Sequence, residues 1–160
     1  MMNTTSSRRS WLALTGFIGS ALAAGAIGAA ATFENVRSWF PTLAKPSWNP
    51  PGWLFAPVWT TLYLLMGLAI WRAWRTGAAA RPLVRGYFAQ LALNALWSVL
   101  FFGLKSPGWA LLDLAALWLL LAWLQAGLWR ADRVAGALWV PYLLWVSFAA
   151  ALNLAIVRLN

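Results

Sequence analysis

The sequence predicts an all-α integral membrane protein: a single bundle of five transmembrane helices spanning residues 1–160, with a long structured loop between the first helix and the second. Three observations predict it. Hydrophobic residues make up 62% of the 160 positions and charged residues only 9%. Fourteen positions are tryptophan, more apolar bulk than a soluble domain of this size can bury in one core. Five apolar stretches are each long enough to cross a hydrocarbon layer, which takes about 20 helical residues. Backbone groups in lipid must be satisfied within the segment, so the spans are helices; a closed barrel would show short alternating strands instead.

The first span, 11–32, follows Arg8 and Arg9 and ends in small residues at Ala29 to Ala31. That composition also suits a signal peptide, but the apolar run exceeds the 7 to 15 residues or so of such a segment. Gly16, Ser20, Ala24 and Gly28 recur every fourth residue and form a ridge that lets another helix approach closely. The link 33–52 is long for a compact bundle, which marks it as functional or disordered. It contains PSWNPPGW, Pro46 to Trp53. Trp39, Phe40, Trp48 and Trp53 supply apolar mass, and Pro41, Pro46, Pro50 and Pro51 stiffen the backbone, which lowers the entropy cost of ordering it. Two readings fit: a lid folded over one mouth of the bundle, or an interfacial belt of tryptophans at headgroup level.

The second span, 53–74, carries Phe55, Trp59 and Tyr63 at i, i+4 and i+8, hence on one face. The third, 84–103, places Asn94 and Trp97 on one face and opens with small residues Gly86 and Ala89. An amide at membrane depth must bond to another helix, to water or to a ligand, and Asn153 in the fifth span, 134–157, poses the same demand. The fourth span, 107–129, holds Asp113, the one acidic residue inside a span. Its place near the helix start favours a structural role over a proton relay, because a negative charge is tolerated there and no partner acid or base lies at depth. The links 75–83, 104–106 and 130–133 are short.

The net charge of +9 comes from twelve basic and three acidic residues, and the basic ones are scattered between apolar runs. They read as membrane-flanking anchors; no nucleic-acid stripe exists. Arg8, Arg9, Arg72, Arg75, Arg81, Arg85, Arg130 and Arg133 fall on the side of the amino terminus, and Arg37, Lys45, Lys105 and Arg158 on the other. In an inner membrane this excess places the amino terminus in the cytoplasm; an outer membrane follows no such rule. The chain has no cysteine and no histidine, which removes disulfides, thiolate chemistry, imidazole bases and the usual zinc ligands.

The motifs KPSWNPPGWLF, WTTLY, QLALNALWSVLFF and PYLLWVSFAAALN occur in this order. In this order and spacing, and in five spans with a long first loop, the whole chain resembles the translocator protein and tryptophan-rich sensory protein family, also called peripheral-type benzodiazepine receptors. The resemblance implies a bacterial five-helix membrane protein, dimeric through small-residue faces of its first and third spans. It further implies a pocket at one end, capped by the first loop, that takes protoporphyrin IX, haem, isoquinoline carboxamides or benzodiazepines. The ligand-binding positions implied are Phe40, Trp48, Pro50, Phe55, Trp59, Tyr63, Asn94, Trp97, Trp145 and Ala149. Phe40 stands where relatives often have tyrosine, and Ser47 where some have a further tryptophan.

Stacking surfaces and one amide suit a planar macrocycle, although the same aromatics could simply fill space between helices. No cofactor is required and no metal site is expected; porphyrin or haem enters as ligand. Met66, Tyr63, Tyr87 and Tyr142 are the side chains within the spans able to ligate iron. Cholesterol binding is not supported, because Leu154 stands where animal relatives carry the tyrosine of the sterol pattern. The resemblance leaves two functions in competition: a receptor, sensor or transporter-like binder of tetrapyrroles, or a light-dependent porphyrin-degrading enzyme in which Trp59 supplies an electron. No general base, nucleophile or metal site supports ordinary turnover, which favours the binder.

Overall fold

The computed structural model describes residues 4–77 and 81–160. Ala78 to Ala80, in the link between the second and third spans, lie outside the described residues, as do Met1 to Asn3. The long helices are α1 (Thr4–Thr32), α3 (Phe55–Arg75), α4 (Arg81–Ser98), α5 (Pro107–Ala131) and α6 (Arg133–Leu159); α2 (Asn35–Ser38) is a single turn in the loop. The five apolar spans now run Arg8–Thr32, Gly52–Arg75, Arg81–Gly103, Pro107–Ala131 and Arg133–Leu159. They outrun the sequence-based limits by at most three residues, because the flanking arginines remain helical after hydropathy has fallen.

Pairing follows from which faces are apolar and which are small. Helix α1 packs on α3 and α4, α5 on α4 and α6, and α6 on α3. The interior is built from Phe17, Ala21, Met66, Ile70, Leu117, Leu121, Trp139 and their neighbours. Large apolar side chains also cover the outside, among them Trp109, Leu112, Leu119 and Leu144, a surface that is stable only against lipid. Helices α1 and α3 cross closely at Gly67, where an added Cβ would sit 2.9 Å from the Ile18 Cα and 3.0 Å from its backbone nitrogen. Tyr87 Oη donates to the Phe17 carbonyl at 2.6 Å and Trp71 Nε1 to that of Ser10 at 2.8 Å, so α1 is tied into the bundle by hydrogen bonds as well as by packing.

The small-residue faces are partly consumed within the chain. Ala24 and Gly28 are buried, and a Cβ on Gly28 would meet Ser98 Oγ at 2.9 Å. Gly86 lies under Trp123 and Leu124 of its own chain, whereas Ala89 is exposed. Gly16 and Gly19 meet nothing within 4 Å.

The hairpin between α5 and α6 turns on one residue. Asp132 caps α6, its Oδ1 accepting the Ala135 N–H at 2.9 Å, and its Oδ2 accepts from the Arg72 guanidinium of α3 at 3.1 Å. The Ala135 N–H, aided by the Arg72 guanidinium and opposed by burial, holds the carboxyl below its ordinary range. A folded-state value lower than the unfolded one contributes stability above about pH 4 that is lost as pH falls through the native value. Asp132→Ala is expected to cost about 1 kcal/mol, the usual worth of such a cap. In thermal denaturation at pH 7 and at pH 3, the gap between wild type and variant should narrow at the acid end.

Candidate functional site

At the end of the bundle where α3 begins and α6 finishes, the chain gathers most of its aromatic surface. Trp59 and Tyr63, one helical turn apart on α3, stack with ring centroids 5.4 Å apart and planes 28° from parallel. Tyr63 Oη donates to Asn94 Oδ1 at 3.1 Å, and Asn94 Nδ2 donates to Tyr142 Oη at 3.1 Å. Tyr142 Oη in turn donates to Gln90 Oε1 at 2.8 Å. This buried chain joins α3, α4 and α6, and it answers the demand that Asn94 posed: the amide is held by protein on both sides. One of its N–H bonds and one oxygen lone pair remain uncommitted.

Asn153 is satisfied in the same manner, accepting from Trp97 Nε1 at 3.1 Å and donating to the Pro107 carbonyl at 2.8 Å. Asp113 is buried with Oδ2 unpartnered among the described residues.

The remaining expected residues form two further groups. Trp145 meets Phe55 edge-on at 5.8 Å and Phe148 at 5.6 Å, and Phe148 meets Trp48 of the loop at 5.7 Å. Ala149 lies one turn beyond Trp145 and packs against the central cluster. Phe40 sits apart from these, at 6.2 Å from Phe101 and 5.6 Å from Phe102, in a cluster with Leu152 and Ile156. Trp97 stacks on Phe101 at 5.2 Å and touches both clusters. Pro50 is half-buried, and its carbonyl accepts from Asn49 Nδ2 at 3.1 Å.

Sequence reasoning missed Phe101, Phe102 and Phe148, which connect the expected residues. Phe101 and Phe102 are adjacent, yet both are buried, 4.8 Å apart. They lie in a π-turn over Val99–Gly103 at the end of α4. Such turns are frequent at functional sites. Gln90 was also missed; the signal was its position one turn before Asn94 on an otherwise apolar helix.

The loop is packed down on this end. Trp39, Phe40 and Leu43 cover the Phe101 cluster, and Asn35 Nδ2 donates to the Phe102 carbonyl at 2.9 Å, a group the π-turn exposes. Lys45 Nζ donates to the carbonyls of Phe40 at 2.8 Å and Leu43 at 2.7 Å. Asn160 binds the loop at Ala44 twice, accepting its N–H at 3.0 Å and donating to its carbonyl at 3.1 Å. Trp53 departs from this pattern. It is 73% exposed, because the turn Gly52–Leu54 that starts α3 directs it outward, and it packs nothing onto the rim.

Comparison with known proteins agrees with this architecture. The family model described as TspO/MBR family matches residues 17–159. The chain is 42% identical to the tryptophan-rich protein TspO of Chlorobaculum tepidum, over 89% of this chain and 92% of that protein. It is 41% identical to the protein of the same name from Archaeoglobus fulgidus, over 93% and 97% respectively. With the translocator protein of Sus scrofa it shares 37% identity, over 94% and 91%. Five membrane-spanning helices and a match over nearly the whole length lead to one conclusion: this multi-pass integral membrane protein belongs to the TspO/MBR family.

Proposed function

We propose that the lid end of the bundle binds a tetrapyrrole, protoporphyrin IX or haem, and that isoquinoline carboxamides and benzodiazepines compete for the same surface. This refines the receptor or sensor role that family membership supports. The observation that carries the reading is the state of three indoles: Trp59, Trp97 and Trp145 are each only partly buried, although Tyr63, Tyr142 and Phe101 beside them are buried. Their faces are not used up by the core. A macrocycle gains mainly from stacking and apolar burial, and Asn94 retains the polar capacity to orient it. Phe40, Trp48 and Pro50 of the loop limit access from water.

The Tyr63 hydroxyl is committed to Asn94, so iron coordination by Tyr63 would break the buried chain. Metal-free protoporphyrin is therefore expected to bind within about tenfold of haem, a difference of about 1.4 kcal/mol. Absorbance titrations of the detergent-solubilised protein with both ligands check this. A large preference for haem that disappears in Tyr63→Phe would refute binding by stacking.

One observation favours a second reading, light-dependent porphyrin degradation: Trp59 stacks on a tyrosine whose hydroxyl is hydrogen-bonded, an arrangement suited to one-electron donation to an excited macrocycle in the presence of dioxygen. Under illumination, that reading expects turnover of bound protoporphyrin to vanish in Trp59→Phe with binding retained. The binder reading expects loss no faster than for free porphyrin. Self-association belongs to the same proposal: a homodimer would use the exposed Gly16 and Gly19 on α1 and Ala89 on α4, since Gly28 and Gly86 are taken up within the chain.

A further inference from the structure

Toward the end of the bundle opposite the lid, an outward-facing trough of about 470 Å³ runs along the seam of α5 and α6. Ala122 and Ala126 line it on α5, Val140 and Leu143 on α6, and Trp129 and Arg130 stand at its outer end. The trough is built into the hairpin. Gln125, which also lines it, donates from Nε2 to the Gly136 carbonyl at 2.9 Å, and Gly136 admits Trp129 so closely that a Cβ would meet the Trp129 Cα at 2.8 Å. We infer that this trough holds one acyl chain of an anionic phospholipid, with the lipid phosphate on Arg130.

Length, charge and the lack of an alternative complement support that occupant. Arg130 and Ala122 are eight residues apart on one helix, about 12 Å, close to the ~15 Å of one leaflet's hydrocarbon. A chain lying along the trough thus ends at the bilayer surface where Arg130 stands, and a guanidinium matches a phosphate in geometry and charge. The Arg72–Asp132 pair is the one ion pair among the described residues, so Arg130 has no acidic partner there. Basic recesses between transmembrane helices are a recognised way of holding anionic headgroups, and eight of the twelve basic residues lie on this side.

A second copy of this chain is a poor complement. Of its three acids, Asp132 is engaged by Arg72, Asp113 is buried, and Glu34 lies at the lid end.

The test is native mass spectrometry of protein released from nanodiscs containing equal amounts of phosphatidylglycerol and phosphatidylcholine. Wild type is expected to retain one phosphatidylglycerol per chain with at least a tenfold preference. Arg130→Gln should bring the preference close to parity, and Ala126→Trp, which fills the trough, should remove retention of both lipids. Arg133→Gln, outside the trough, should keep the preference. If Ala126→Trp fails to reach wild-type helix content, Ala122→Leu serves in its place. Equal retention of the two lipids by wild type, or undiminished phosphatidylglycerol on the filled variant, would overturn the inference. So would one-for-one displacement of the lipid by protoporphyrin, which would make the trough a tetrapyrrole site.

Discussion

Trp145→Ala is expected to weaken protoporphyrin binding by about 1 to 3 kcal/mol, by analogy with base-on-aromatic stacking, which is roughly 5- to 150-fold in affinity. The side chain is half-buried between Phe55 and Phe148, so truncation removes a surface the ligand would use and loosens the contact to Trp48 through Phe148. No hydrogen bond is lost with it, and the melting temperature should move less than the affinity. Trp97→Ala is expected to weaken binding over the same range of about 1 to 3 kcal/mol but to destabilise the fold as well, because Asn153 Oδ1 then loses its donor in a buried setting. Soret-band titration alongside thermal denaturation separates the two variants. Unchanged affinity in both would remove the indoles from the binding site and leave them as packing.

The largest effect on stability is expected at the crossing of α1 and α3. Gly67→Val places branched carbons where the Ile18 backbone already stands within 3.0 Å of a single Cβ. Backbone cannot rotate aside as a side chain can, so α1 must shift along its length. Overpacking of this kind costs about 1 to 3 kcal/mol and sometimes more, and the upper end applies where main chain is the obstacle. Gly16→Val provides the contrast: nothing lies within 4 Å of that position, so the monomer should melt as wild type does, and any loss should appear only in the self-association proposed above. Size-exclusion profiles and melting curves of the two variants distinguish these outcomes.

The five spans were legible in the sequence because hydrocarbon thickness leaves little freedom in how a run of apolar residues can cross it. The stack of Trp59 on Tyr63 was legible for a similar reason, since i, i+4 neighbours on a helix face one another whatever surrounds them. Partners between helices were not. Nothing in the residue types specifies that Asn94 should lie between Tyr63 and Tyr142, or that Asn153 should take Trp97; those choices depend on helix rotations settled by packing. The π-turn that carries the adjacent Phe101 and Phe102 is a local departure from the regular helix that hydropathy does not signal. Gly86 followed the small-residue rule but was taken by its own chain. Trp53 followed the aromatic content of its motif, yet the turn entering α3 aimed it away.

Asn160 holds the loop at Ala44 through both peptide groups of a single residue, and it stands at the foot of the helix that carries Trp145, Ala149 and Asn153. Cover and wall are thereby mechanically linked. On the proposed function, a displacement of α6 that accommodated a ligand would pull on the loop, and a partner gripping the loop from the aqueous side would pull on α6. Such linkage is reciprocal in free energy: occupancy of the proposed site would then be readable from outside the membrane without the ligand leaving it, and whatever read it would change the affinity by the same factor.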